Sequence, residues 1–237
     1  ITPRPMYPAD GRKLPDVWTQ PSQLRDELQQ ELGQFPLFNF WGPGADIRSS
    51  TWIANATRRI EEKFDPTILL CYLPHLDYVL QKLGPDAPEL HKECAAFDDL
   101  VADLVLHLMD RGRRILIVNE YGIMPVSGSV APNLLLRDMG ALELREELGR
   151  EYLDAGASRA FAVTDHQIAH VYLRNPADAS RFAEKLMGID GIDRVLDDRA
   201  RRVAGLDHDR AGDLVLVATA DRWFRHDWWL EPDRAPD

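Results

Sequence analysis

Three consecutive segments between Thr67 and Val118 constrain this chain more than any other feature. The first, Thr67-Ile68-Leu69-Leu70-Cys71-Tyr72-Leu73, is apolar and β-prone. A long helical pattern follows from about Pro88 to Asp110. Leu90, Cys94, Phe97, Val101, Leu104, Val105 and Leu108 recur there at steps of three and four, and Gly112 ends it. Arg113 to Val118 then reads as a second buried strand. A strand, a helix and a strand make a βαβ unit, which forces the two strands parallel through a right-handed crossover. Both carboxyl ends then share one sheet edge, where open α/β sheets hold ligands. Pro74 stops the first ladder because it has no N–H to donate. His75 and Asp77 follow it, and Gly84-Pro85 closes the segment. The second strand ends in Asn119-Glu120-Tyr121-Gly122. Asp77 and Glu120 are therefore expected to converge, and paired carboxylates suit a divalent metal or general acid–base work. The plain alternative is a strand followed by a polar loop that turns the chain.

The flanking sequence alternates helix and strand. Pro21 to Leu32 predicts a helix with Leu24, Leu28 and Leu32 on one face, stopped by Gly33. Phe35 to Trp41 is dense in aromatics, which either line a pocket or pack as core under a loop; such clusters usually pack. Ser49 or Ser50 would cap a helix from about Thr51 to Lys63. Further on come a helix over Asn133–Met139, a strand over Ala141–Arg145, strands over Arg159–Thr164 and Ile168–Leu173, and a helix over Pro176–Met187. A strand over Ile192–Leu196, a helical turn over Asp197–Ala204 and a strand over Asp213–Thr219 complete the pattern. These segments predict an α/β chain with a mostly parallel sheet, helices on both faces and a small α+β insertion in the second half.

Charge and cysteines narrow the function. With 39 acidic against 28 basic residues the net charge is -11, which argues against a nucleic-acid polymer or an anionic membrane as partner. Small anionic substrates stay open, since a bound metal reverses the local field. Cys71 and Cys94 have neither C-x-x-C spacing nor framework density and read as reduced core thiols. No apolar run approaches a membrane span, and a cytoplasmic setting is expected. The chain opens at Ile1 on a Pro-rich segment and closes soon after Trp223, Phe224, Trp228 and Trp229, so it reads as a central and C-terminal piece of a longer protein.

A second polar group is Asp165-His166-Gln167-Ile168-Ala169-His170. On a strand His166 and His170 would share a face, and Asp165 could hold a histidine in one tautomer. They could bind substrate, or be polar surface. His91 and His107 read as helix-surface residues, and Asp207-His208-Asp209 as solvated loop. P-loop, G-x-G-x-x-G, H-E-x-x-H and G-x-S-x-G patterns are absent.

These segments resemble the type I phosphodiesterase/nucleotide pyrophosphatase family of the alkaline phosphatase superfamily. A strand running into LPHLDYVLQKLGPD resembles the family's D-x-x-x-H-x-x-G-P segment, with Asp77 on its metal-binding aspartate and Gly84-Pro85 on the trailing pair. Asn119-Glu120-Tyr121-Gly122-Ile123 resembles S-D-H-G-M, and the MPV, Asn133-Leu134-Leu135 and RAGDLVLVA stretches resemble the later course. The resemblance implies one incomplete alkaline-phosphatase-like domain over residues 1–237, with its core at about 35–135 and 205–237 and an inserted subdomain at about 140–204. It implies a hydrolase of phosphodiester or pyrophosphate bonds acting on a small phosphorylated substrate. Two divalent ions, zinc by resemblance, would sit at Asp77, Glu120, Gln81 and Tyr121, with His75, Asp165, His166 and His170 toward the substrate. Gln81 and Tyr121 stand where the family has histidines, and Glu120 where it has aspartate. The nucleophile, a threonine or serine, would precede Ile1, leaving this piece inactive alone. A non-catalytic relative that kept the fold as a binding module is the alternative.

Overall fold

The structure is a computed structural model that describes residues 1–119 and 121–236. The chain forms two units, Ile1–Ile123 and Met124–Asp237.

The first unit is mainly helical. Strands β1 (Thr2–Pro3) and β2 (Val17–Trp18) form a short antiparallel pair. Helix α1 (Leu24–Leu32) buries Leu24 and Leu28, the residues spaced by one turn, and ends at Gly33 with φ 80°. Helix α2 spans Ile47–Phe64. Its cap is Asp46, whose side chain accepts the Arg48 N–H; the expected caps Ser49 and Ser50 lie inside the first turn and are fully buried. The aromatic run packs as core: Phe35, Leu37 and Phe40 join Trp52, Leu24 and Leu28, with Phe35 edge-on to Trp52 at 5.2 Å. The Trp52 indole N–H donates to Gly33 O at 2.9 Å, so its polar edge is satisfied where the ring is buried. Helices α3 (His75–Leu83) and α4 (Leu90–Asp110) complete the unit.

Both strands of the expected βαβ unit are missing from the described ladders. Residues 67–74 and 113–119 carry no strand pairing. The first run keeps the alternation of a strand: Leu69 and Leu73 pack against Ala54, Leu104 and Leu108, while Ile68, Leu70 and Tyr72 face out. In the second run Leu116, Ile117 and Val118 are 84%, 73% and 80% exposed. Composition favours a strand in both places, but a strand exists only when a neighbouring backbone supplies the hydrogen bonds. The cysteines are free, as expected, but both are exposed rather than core.

Glu61 fixes where the chain leaves α4. It is fully buried inside α2 and holds Arg111 and Arg113, the latter at 2.6 Å, on either side of Gly112 at φ 77°. Burial pushes its carboxyl up, and the hydrogen bonds from Arg113 and Arg111 together outweigh that and hold it below the usual carboxylate range.

The second unit is built on antiparallel pairing. In chain order come β3 (Gly128–Val130), α5 (Pro132–Asp138), β4 (Leu144–Glu147), β5 (Arg150–Leu153), β6 (Ala160–Asp165), β7 (Ile168–Leu173), α6 (Ala179–Met187), β8 (Ile192–Leu196), α7 (Asp198–Val203), β9 (Leu214–Ala218) and β10 (Arg222–Phe224). A four-stranded sheet of order β6-β7-β9-β8 is antiparallel throughout; β4 and β5 form a hairpin, and β3 and β10 make a parallel pair. The chain thus has mixed helix and strand content, but its sheets are small and largely antiparallel, not the mostly parallel sheet expected. The reason is local: β6 and β7 join through a two-residue turn at His166-Gln167, and such tight turns permit only antiparallel neighbours.

The core beneath this sheet takes alternate residues of each strand: Ala160 and Ala162, Ala169 and Val171, Leu214 and Leu216, closed by Phe182 and Leu186 of α6. Asn133 in α5 extends the pairing. Its amide donates to Ala162 O at 2.9 Å and accepts from the Ala162 N–H at 2.7 Å, as a neighbouring peptide would. Glycine is required at 191, where φ is 88° and a Cβ would lie 2.6 Å from Val130 Cγ2. Glu151 is nearly buried and ties Arg137 at 2.7 Å and Arg234 at 2.9 Å. The Arg137 hydrogen bond, against a burial penalty, holds its carboxyl below the usual range.

Candidate functional site

Asp77 stands in the first turn of α3, where the positive end of the helix dipole favours a carboxylate. The expectation of a polar loop after Pro74 is replaced by helix beginning at His75. This matters for chemistry, because Asp77 and Gln81 now sit one turn apart on the same face. Gln81 Nε2 donates to Asp77 Oδ2 at 2.5 Å, and the Tyr121 phenol donates to Asp77 Oδ1 at 2.8 Å. Three of the four residues marked as metal positions therefore meet. The fourth, Glu120, lies outside the described residues, so the expected approach of Asp77 and Glu120 lies outside them too.

The group is surface-lying, with Asp77 half-buried and Gln81 and Tyr121 exposed. The Asn119 Oδ1 accepts the Tyr121 N–H at 3.0 Å. A divalent ion binds oxygen lone pairs at about 2.0–2.6 Å. Here both Asp77 oxygens face hydrogens, one from an amide and one from a phenol. Among the described residues, the donors at this carboxylate do not fit an ion. Among the described residues there is also no group of three His, Cys, Asp or Glu that could hold one.

His75 is a core group. It is 3% exposed, its ring lies against Phe97 and edge-on to Tyr78, and Nε2 is 2.8 Å from Glu93 Oε2. The Tyr78 hydroxyl lies 3.1 Å from Ser49 Oγ, and burial pushes its phenol up.

In the second unit Asp165, His166 and His170 do not share one strand face. Asp165 ends β6, His166 occupies the turn with φ 55°, and His170 lies within β7. A non-glycine residue at positive φ is uncommon and costs free energy. Asp165 Oδ1 contacts His166 Nδ1. The His166 ring stands edge-on to Trp223, 4.7 Å between centroids, and its carbonyl accepts the Phe224 N–H at 2.8 Å. Trp223 was not marked from the sequence, since nothing in spacing links it to the 165–167 turn. His170 Nδ1 accepts the Gly212 N–H at 3.0 Å, which leaves Nε2 to carry the ring proton in the neutral form.

Comparison with known proteins gives a consistent assignment. Two crystal structures of phosphonoacetate hydrolase from Sinorhizobium meliloti 1021, in complex with phosphonoacetate and with phosphonoformate, each superpose with TM-score 0.55 at 23% identity, over 78% of this chain and 45% of theirs. At that identity the likeness is one of fold alone. An uncharacterised pyrophosphatase/phosphodiesterase of Schizosaccharomyces pombe is 32% identical over 72 residues, 29% of this chain and 15% of the relative. The chain thus spans less than half the length of the relatives it matches. The type I phosphodiesterase/nucleotide pyrophosphatase family model matches residues 5–236, nearly the whole sequence, and the chain belongs to that family.

Proposed function

We propose that the protein containing this chain hydrolyses phosphodiester or pyrophosphate bonds of a small phosphorylated molecule. The family match over residues 5–236 carries this reading. It takes in both the Asp77 segment and the 165–170 turn. No residue of this chain is assigned as the nucleophile. Divalent metal, zinc by resemblance, would polarise a phosphoryl oxygen in a family member; since the donors around Asp77 do not fit an ion, no step is placed on it here. Asp165, His166 and His170 are retained as substrate contacts. His166 is exposed and lies against Asp165, where its ring can donate a hydrogen bond to an anionic phosphate.

The test is release of nitrophenolate from bis(p-nitrophenyl) phosphate by the full-length protein, with zinc, manganese and magnesium each supplied. Turnover is expected, with KM raised about tenfold by His166→Ala and kcat little changed, as for a residue that binds ground state and transition state alike. Absence of turnover in folded protein under all three metals overturns the enzyme reading. That outcome would favour the second one, a non-catalytic relative acting as a binding module. The specific observation behind it is that Tyr121 and Gln81 already satisfy Asp77.

A further inference from the structure

We propose that Asp77, Gln81 and Tyr121 form a cation-free node, in which a phenol and an amide replace a divalent ion at the carboxylate. The inference rests on the family membership and on this geometry, not on the hydrolase reading. Three contributions act on this carboxylate. The first turn of α3 offers its dipole. Gln81 gives an amide hydrogen to Oδ2 and Tyr121 a phenol hydrogen to Oδ1, at 2.5 and 2.8 Å. Hydrogen bonds to an ionised acceptor are the short, strong kind.

Seating an ion would undo both. The phenol would have to turn its hydrogen away from Asp77 Oδ1. The amide would have to rotate and present its oxygen, a neutral ligand that returns no charge. Neither replaces an imidazole, the usual nitrogen ligand of zinc. The node also has a mechanical role that an ion would otherwise play. It fastens the segment bearing Asn119 and Tyr121 to α3, although these pieces are separated in sequence by all of α4.

Calorimetric titration of the full-length protein with zinc chloride tests this, and reads binding rather than turnover. With other histidines present, weak zinc uptake elsewhere is expected, so the informative quantity is the difference made by Asp77. Zinc stoichiometry and affinity should be the same in the parent, in Asp77→Ala and in the closer isostere Asp77→Asn. The double variant Gln81→His/Tyr121→His should gain one zinc per chain, at least about 100-fold tighter than the parent's background, and Asp77→Asn should abolish the gain. A parent site of micromolar affinity that is lost in Asp77→Asn overturns the proposal. A folded double variant that gains no zinc also overturns it, since the phenol and amide would then not occupy the place of a cation. Nitrophenolate release is a separate readout, so failure of the hydrolase reading is distinguishable from failure of this one.

Discussion

Two stretches of nearly the same composition meet opposite fates. Ile115-Leu116-Ile117-Val118 in the first unit lies outside any ladder with its last three side chains largely in solvent, whereas Leu214-Val215-Leu216-Val217-Ala218 in the second forms β9, with Leu214, Val215 and Leu216 fully buried. Propensity does not separate them. β9 has β7 on one side and β8 on the other, and the 115–118 run has no pairing among the described residues. A strand is a property of two backbones, so an apolar β-prone run in sequence announces a need for a partner rather than the presence of one.

Hydrogen exchange should expose this contrast most strongly. Amides of residues 115–118 are expected to exchange about a thousandfold faster than those of Leu214–Ala218, which sit within the cooperative core. Comparable protection in the two runs would break the comparison. Side-chain truncation comes next: Leu216→Ala should cost about 2–5 kcal/mol in urea unfolding, while Leu116→Ala, 84% exposed, should stay within about 0.5 kcal/mol. Arg137→Ala should cost about 2 kcal/mol, because it leaves the nearly buried Glu151 with one guanidinium fewer. The sign of the pH dependence follows. Glu151 is held below its ordinary value when folded, so its stabilisation is complete above the unfolded carboxylate value of about 4.3 and fades as pH falls through the folded one. Thermal melts below about pH 5 should therefore decline more gently in Arg137→Ala than in the parent. A smaller loss than that of Arg137→Ala, about 1 kcal/mol, belongs to Asp46→Ala at the start of α2, measured by the same urea series.

Much of the fold was legible because it is local. The three- and four-residue spacing of α4, the Leu24–Leu28 face of α1 and the β6 and β7 alternation all follow from neighbours in sequence. What was missed depends on distant pieces. The 67–73 and 113–118 runs looked like strands because their composition cannot report a missing partner. Of the 144–153 hairpin, only the run over 141–145 reads as a strand from sequence, since Leu148 and Gly149 carry the reversal on positive φ in a stretch of charged residues. At the site, Asp77 and Gln81 were both marked, yet their hydrogen bond depends on α3 beginning directly after Pro74. The Tyr121 contact was out of reach, because it requires knowing how the chain returns after α4.

That return gives Glu61 a reach well beyond its own contacts. Its grip on Arg111 and Arg113 sets the bearing on which the chain departs. Position 61 thus sits at the root of the segment that leads to Tyr121, so Glu61→Gln is expected to loosen the Tyr121–Asp77 contact without touching either residue.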